Sequence, residues 1–256
     1  MAWFRRSQRS AQPPPGDEQE ARDRAHVSLQ EHELTFHVDN PLDVVQKVLL
    51  KGRFYEHALL RYHRDFIFNG STVLDVGANI GNHTVFYALS GAAKVYPFEP
   101  NPRANRLLAR TIATNKLSDT VDLTYLEYGI GDVATTLGVH TANENNLGRT
   151  VLSDDSDVRV EVRPLDDFEF AGRISLIKID VEGMEIPALT GAAKTVARHR
   201  PVVAVEVDDS NAEQFWDWVQ DTDYQVVRMV RRHQLNADYV CIPRGAVPAW
   251  TRSASL

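Results

Sequence analysis

The sequence has very few cysteines and no long apolar run. Cys241 is the single cysteine among 256 residues, so the chain has no internal disulfide and no cysteine zinc site, and we expect a reducing compartment, the cytoplasm. No stretch approaches the ~20 apolar residues that cross a bilayer. The net charge of −7 disfavours binding to a phosphate backbone, which needs a clustered basic surface. We therefore expect no membrane span and no nucleic-acid partner.

The two ends of the chain differ in composition from the middle. Residues 1–27 carry consecutive prolines and alternating charges, with no apolar stretch of the kind a signal peptide has, and are predicted to be a disordered tail. Residues 28–70 are predicted to hold a strand at 34–38 and two helices, 41–52 with Asn40 as N-cap and 53–68. Residues 71–243 form the predicted main domain, followed by a tail at 244–256.

The main domain alternates short apolar runs with helical patterns. This alternation predicts an α/β fold, a Rossmann-like, mostly parallel, doubly wound sheet. The capping-box pattern starting at Ser210 predicts a further helix. Only seven residues, 231–237, separate the last two runs, too few for a parallel crossover, so the final strand should be antiparallel. The predicted strands are 72–76, 95–98, 121–126, 175–179, 202–206, 224–230 and 238–242, with strand-like pieces at 136–139 and 158–162; the helices are 80–90, 102–116 capped by Asn101, and 185–198.

The strongest local motif is a glycine turn that follows the first strand of this domain. Gly77 allows the backbone to turn tightly and a ligand to approach, and Gly81 permits close packing of the following helix. By itself a glycine pair of this spacing equally suits an ordinary strand-to-helix connection.

Carboxylates at neighbouring strand ends strengthen the indication that the glycine turn belongs to a ligand site. Glu99 ends the second strand 22 residues after Gly77, where nucleoside-binding folds grip ribose hydroxyls. Asp132 follows the third strand and is placed to accept from an adenine amine. The alternative is that Glu99 is a solvated charge at a helix entry. Because the carboxyl ends of parallel strands meet at one edge, we expect an adenosine-bearing cofactor there.

The residues beside the turn select among such cofactors. A dinucleotide site needs a second glycine to admit the pyrophosphate, but the chain has Ala78 and Asn79 there, and Asp75 would repel pyrophosphate. The same acid favours the ammonium and sulfonium of S-adenosylmethionine. An NAD(P)-dependent oxidoreductase and a catalytically silent S-adenosylmethionine-binding module remain as alternatives.

Four segments together resemble a known family. Residues 74–84, 98–101, 177–185 and 201–206 are similar to the FkbM-type class I methyltransferases, and the resemblance extends over about 34–243. It implies that Asp75 contacts the methionine moiety, that the turn with Gly77, Asn79 and Gly81 faces the cofactor, that Glu99 binds the ribose and that Asp132 binds the adenine. It also implies transfer to a hydroxyl of a small-molecule, sugar or lipid acceptor.

Several acids near the fourth strand are candidates for the chemistry. Asp180 is predicted to act as base or to orient the acceptor, with Glu182 as second choice; a helix beginning near Glu182 would place Glu185 on the same face. Alternatively these acids only favour a helix N-terminus. His83 is a third candidate base, although a packing role suits it better. Asp180 with Glu206, Asp208 and Asp209 could form an oxygen-rich cation site, but no metal is expected.

Competing methyltransferase classes fit the sequence poorly. Enzymes that methylate nucleic-acid amines carry an Asp/Asn-Pro-Pro-Tyr-like turn where this chain has residues 180–183, Asp-Val-Glu-Gly. A cytosine C5 enzyme needs a Pro-Cys nucleophile, whereas Cys241 lies between apolar neighbours and is predicted to be a small buried hydrophobe. Methylation of a protein, and the oligomeric state, stay open.

Overall fold

The computed structural model describes residues 23–141, 146–153, 156–231 and 235–246. It begins with an antiparallel pair, β1 (Arg24–Leu29) and β2 (His32–His37). The prediction that places residues 24–27 in a disordered tail is wrong, because Ala25 and Val27 alternate inward and are buried in the core. The remainder of that tail, and the C-terminal tail from residue 247, lie outside the described residues.

The two helices that follow are shorter than predicted. They are α1 (Val44–Leu49) and α2 (His57–Arg64). Asp43, and not Asn40, is the N-cap of α1, because its Oδ1 accepts the backbone N–H groups of Val45 and Gln46 at 3.0 and 2.9 Å. Asn40 instead accepts the N–H of Leu42, one turn too early to start the helix.

A six-stranded sheet forms the centre of the molecule. Its strands are β3 (Thr72–Val76), β4 (Lys94–Phe98), β9 (Ile174–Ile179), β10 (Val202–Asp208), β11 (Tyr224–Val230) and β12 (Asn236–Pro243). They lie in the order β11-β12-β10-β9-β3-β4. The four strands from β10 to β4 are parallel, and β12 is antiparallel to both neighbours, which confirms that the sheet is mostly parallel with an antiparallel last strand.

The strand predicted at 121–126 is wrong. Only Val121 pairs with the sheet, through a single parallel bridge to Val95. The chain then turns, because Asp122 Oδ1 accepts both the N–H and the hydroxyl of Thr124 at 3.0 and 2.6 Å, and Leu126 N–H bonds back to Leu123. Local side-chain hydrogen bonds of this kind compete with strand pairing.

Helices cover both faces of the sheet. Successive strand residues alternate between two apolar clusters, with Val73 in one and Leu74 in the other. The helix predicted at 185–198 is two helices that meet at Ala192. The prediction that Ser210 is an N-cap is wrong, because Ser210 lies in a 3₁₀ turn, Asp209–Asn211, that Asp208 caps. The helices are α3 (Asn82–Ala88), α4 (Pro102–Thr114, capped by Asn101 as predicted), α5 (Glu185–Gly191), α6 (Ala193–His199) and α7 (Ala212–Asp221).

A second sheet has four strands. They are β5 (Gly129–Ile130), β6 (Thr135–Thr141), β7 (Thr150–Ser153) and β8 (Arg159–Arg163), in the order β5-β8-β6-β7. The sheet contains both strand-like pieces predicted around 136–139 and 158–162. Residues 142–145, between β6 and β7, lie outside the described residues. Within the described part of the chain, no helix is both long and apolar enough to span a bilayer.

Candidate active site

The glycine turn connects β3 to α3 and packs against the backbone that follows β9. Gly77 has φ +78°, and a Cβ on this residue would lie 1.8 Å from the backbone oxygen of Asp180. The N–H groups of Gly77 and Ala78 both donate to the Phe98 carbonyl at 3.0 Å. The glycine is therefore required by the neighbouring backbone, a reason that the sequence motif alone does not show.

The other two turn residues have different roles. Asn79 adopts φ +51° and donates its N–H to Glu99 Oε2 at 2.8 Å. Gly81, with φ +90°, packs against α4, since a Cβ there would lie 3.0 Å from Leu108 Cγ. Gly81 thus allows helix–helix packing, whereas Asn79 links the turn to the acidic strand end.

Glu99 is a buried carboxyl held by backbone donors. It is 7% exposed, and its two oxygens accept the N–H groups of Asn79 and Asn101, each at 2.8 Å. Burial raises the pKa of Glu99 to about 7, although both N–H donors act in the opposite direction. A further pair of donors, such as two hydroxyls, would favour its ionised form.

A cavity opens at the carboxyl ends of β3, β4 and β9, and we call it the strand-end cavity. Five predicted site residues line it, whereas Asp75, Gly81, His83 and Asp132 do not. Asp132 is exposed just beyond β5. The predicted residues in the lining are Gly77, Asn79, Glu99, Asp180 and Glu182, and its apolar walls include Val76, Phe98, Tyr128, Ile130, Leu147, Leu152 and Met184.

Asp75 lies beneath the turn instead of in the cavity. Its side chain is fully buried, and Oδ2 accepts the Thr84 hydroxyl at 2.6 Å. Lys178 Nζ lies 3.5 Å from Asp75 Oδ1, 3.3 Å from Asp180 Oδ2 and 2.7 Å from the Gly77 carbonyl oxygen. No role for Lys178 was predicted from the sequence, although a lysine inside the apolar strand β9 was a visible signal.

A second cavity of about 430 Å³ adjoins the first. The two share Asn79, Gly148, Asp180 and Glu182. We call it the acidic cavity, because its walls also carry Glu56, Glu206 and Asp208, next to the apolar side chains of Val44, Val45, Tyr55 and Leu235. Its volume lies within the range of small-molecule pockets.

Glu182 and Glu185 do not share a helix face. Helix α5 begins at Glu185, and Glu182 lies in the preceding turn. Glu185 turns away from both cavities: its oxygens accept Gly183 N–H at 3.0 Å and Asn211 Nδ2 at 2.6 Å, and burial raises its pKa. The prediction that Glu182 and Glu185 share a helix face is wrong, because Gly183 adopts a left-handed conformation, φ +80°, and the helix begins only after it.

His83 lies behind the acidic cavity, in contact with Glu56. His83 Nε2 is 3.3 Å from Glu56 Oε2, and both side chains are buried. Glu56 itself adopts a left-handed conformation, φ +56°, at the start of α2. No sequence pattern pointed to Glu56, because the two residues belong to different helices.

The possible cation site does not form. Asp209 is paired with Arg231 at 2.9 Å, Asp208 Oδ1 accepts Ser210 N–H, and Glu206 accepts from Asn236 Nδ2. Across the described ranges, no group of three or more His, Cys, Asp or Glu side chains is placed to hold a metal ion. Cys241 is fully buried in β12, where burial raises the pKa of its thiol to about 12, as expected for a packed residue and not for a nucleophile.

This sheet and its strand-end cavity define a Rossmann-like methyltransferase fold. The sequence model for the methyltransferase FkbM domain matches residues 75–240. The chain therefore belongs to the FkbM methyltransferase family, and membership implies S-adenosylmethionine as the methyl donor.

Solved structures with a similar fold include methyltransferases of several kinds. An FkbM methyltransferase from Methylobacillus flagellatus is 22% identical, with TM-score 0.50; the match covers 68% of this chain and 44% of that protein. An rRNA methylase from Streptococcus thermophilus is 13% identical, with TM-score 0.48 and coverage of 73% and 95%. A tRNA m1G37 methyltransferase from M. jannaschii is 12% identical, with TM-score 0.49 and coverage of 88% and 58%. No curated protein matches the sequence.

Proposed function

We propose that the protein is an S-adenosylmethionine-dependent methyltransferase that methylates a hydroxyl group of a small-molecule, sugar or lipid-type acceptor. One observation carries the proposal: Asp180 lines both the strand-end cavity and the acidic cavity. Its carboxylate would lie between a cofactor bound in the first cavity and an acceptor bound in the second.

The strand-end cavity has the chemistry that an adenosine group needs. Glu99 offers a carboxylate to the ribose hydroxyls, with both oxygens already oriented by backbone N–H groups. The apolar walls formed by Phe98, Tyr128 and Met184 suit a purine ring. We propose that Gly77, Asn79 and Glu99 contact the cofactor, and that Asp75 and Gly81 act through the conformation of the turn. Asp132 would reach the adenine only if its exposed segment moved inward.

The acidic cavity suits a hydroxyl-bearing acceptor, because carboxylates accept hydrogen bonds from hydroxyls. The bound cofactor supplies a methyl group on a positively charged sulfur. Asp180 would orient the acceptor hydroxyl and take its proton as the oxygen forms its bond to the methyl carbon, with the carbon–sulfur electron pair staying on sulfur. Glu182, which lines the same two cavities, is the second candidate, and His83 lies further back, behind Glu56.

The charge of the acidic cavity disfavours an acceptor with a phosphate backbone. Among the described residues that line it there is no lysine or arginine, and phosphate contacts rely on such residues. We therefore propose an uncharged or hydroxyl-rich acceptor in preference to a nucleic acid.

Two measurements test the proposal. Calorimetry with S-adenosylhomocysteine should show binding at one site, and a panel of sugars, alcohols and lipids with methyl-labelled S-adenosylmethionine should identify a labelled product. Asp180→Asn should keep S-adenosylhomocysteine binding and lose turnover, whereas Asp217→Asn, an exposed change on α7 outside both cavities, should retain turnover. Absence of binding would refute the cofactor assignment, binding without transfer to any acceptor would favour a silent module, and full activity of Asp180→Asn would remove it from the mechanism.

A further inference from the structure

Lys178 is a buried cation directly behind the glycine turn. It is 5% exposed and lies in β9, whose six residues are all buried. Burying an ammonium is costly unless it is paired and hydrogen-bonded, so its neighbours must offset that cost. A lysine at this position needs a reason beyond packing.

Three groups share the ammonium, and two of them line the strand-end cavity. Nζ donates to the Gly77 carbonyl at 2.7 Å and lies 3.3 Å from Asp180 Oδ2. Gly77 and Asp180 are both lining residues of that cavity. The third group, Asp75 Oδ1, is 3.5 Å away and belongs to a carboxylate that Thr84 anchors from α3.

We propose that Lys178 is the positioning residue of this site: one ammonium, shared by Gly77, Asp75 and Asp180, holds the cofactor turn and the Asp180 carboxylate in one fixed arrangement. The inference deepens the proposed function and rests on it, because it concerns the residues that would face cofactor and acceptor. Lys178 lines neither the strand-end cavity nor the acidic cavity and acts through Gly77 and Asp180.

The charge balance around Lys178 shows why a cation is needed. Asp75 and Asp180 are two carboxylates on one ammonium, so without Lys178 two like charges would lie close together with no cation between them. Burial disfavours the charge of Lys178, yet the carboxylates of Asp180 and Asp75 outweigh burial and raise its pKa above the ordinary lysine value. The other titratable groups near Lys178 are Glu56 and His63 from the α2 region, His83 from α3, Glu206 from β10, Asp238 and Tyr239 from β12, and Glu99 after β4.

The first test compares Lys178→Met with wild type by S-adenosylhomocysteine calorimetry at pH 8.5, above the pKa of about 7 at Glu99. We expect about tenfold weaker binding, because the Asp75 and Asp180 carboxylates would lie together with no cation between them. Lys94→Met, on the neighbouring strand β4 and outside the cavities, is the matched control and should follow wild type. Unchanged affinity would overturn the proposal, and so would a loss that Asp75→Asn in the same chain does not relieve, because a merely structural lysine predicts no rescue by removal of a carboxylate.

A second variant and a wild-type measurement cover the case in which Lys178→Met does not fold. The double variant Asp75→Asn with Lys178→Met removes one carboxylate with the ammonium, so it should fold and bind S-adenosylhomocysteine more tightly than the single variant. In wild-type protein with ¹³C-labelled lysine, the Lys178 signal should keep its ammonium shift through the range near pH 10.4 in which ordinary lysines deprotonate. If Lys178 deprotonates together with the ordinary lysines, the proposal that Gly77, Asp75 and Asp180 share its ammonium is wrong. This measurement tests the proposal even if wild-type protein does not bind S-adenosylhomocysteine.

Discussion

Gly77 packs so closely against the backbone of Asp180 that a Cβ on residue 77 would overlap the Asp180 carbonyl oxygen, at a separation of 1.8 Å. The contact joins the glycine turn after β3 to the proposed catalytic residue after β9. Lys178 also contacts the Gly77 carbonyl and the Asp180 carboxylate, so the turn and Asp180 are held together at the sheet edge.

This contact predicts that Gly77→Ala is much more damaging than an ordinary left-handed glycine substitution. Gly70→Ala is the matched control: Gly70 has φ +86° and nothing within 4 Å of an added Cβ, so it should cost only the backbone strain, about 1–2 kcal/mol. Gly77→Ala should lose at least about 2 kcal/mol more, because Asp180 must shift. Denaturant unfolding measures both, and equal losses would show that the contact is relieved cheaply.

Glu99→Gln should weaken S-adenosylhomocysteine binding by about tenfold to a hundredfold, because a charged acceptor of two hydroxyl donors is replaced by an amide that offers one oxygen. Calorimetry at pH 8 measures the change. Glu169→Gln, an exposed residue away from the strand-end cavity, is the control and should bind as wild type does. Wild-type affinity in Glu99→Gln would show that Glu99 does not bind the ribose.

The same carboxyl predicts proton release on binding. Burial raises the pKa of Glu99 to about 7 in the free protein, and hydroxyl donors favour the ionised form, so S-adenosylhomocysteine should displace a proton near that pH. Affinity should fall as pH is lowered below about 7. Calorimetry at pH 6.5 in buffers of different ionisation enthalpy detects the proton, and buffer-independent heats would contradict the prediction.

Glu99 also predicts a pH dependence of folding stability. Its pKa is raised in the folded state from an ordinary 4.5 to about 7, so the folded protein binds the extra proton and the stabilising contribution is complete below pH 4.5 and lost as pH rises through about 7. Relative to Glu99→Gln, the free energy of unfolding of wild type should therefore decline between those values. A difference that stays constant from pH 4.5 to 8 would be inconsistent with this sign.

Asp43 couples the N-terminal helices to the cavity wall. One oxygen caps α1, and the other accepts the N–H of Leu147, a lining residue of the strand-end cavity, at 2.9 Å. Asp43→Ala should cost about 1 kcal/mol of stability from the lost cap and should weaken S-adenosylhomocysteine binding. Asp43→Asn, which keeps one cap oxygen, should be more stable than Asp43→Ala; identical stability of the two variants in thermal unfolding would argue against the cap.

Much of the sheet could be predicted, because its strands are buried runs with clear glycine and proline boundaries. The prediction of a strand at 121–126 is wrong. Its apolar residues are typical of a strand, but Asp122 and Thr124 form a turn through side-chain hydrogen bonds. The prediction of an N-cap at Ser210 is wrong for a related reason, because Asp208 Oδ1 accepts the Ser210 hydroxyl and Asp208 caps the 3₁₀ turn that contains it. Local competition between side chains and backbone is invisible to periodicity alone.

The sequence by itself determined the alternation of strands and helices, the glycine turn and the position of Glu99 at a strand end, because these depend on local spacing and composition. Only the tertiary structure decided that Asp75 lies under the turn with Lys178, that Asp132 stays outside the strand-end cavity and that Glu56 meets His83. These relationships join segments far apart in the chain, and ion pairing of buried groups depends on distances that no sequence period encodes.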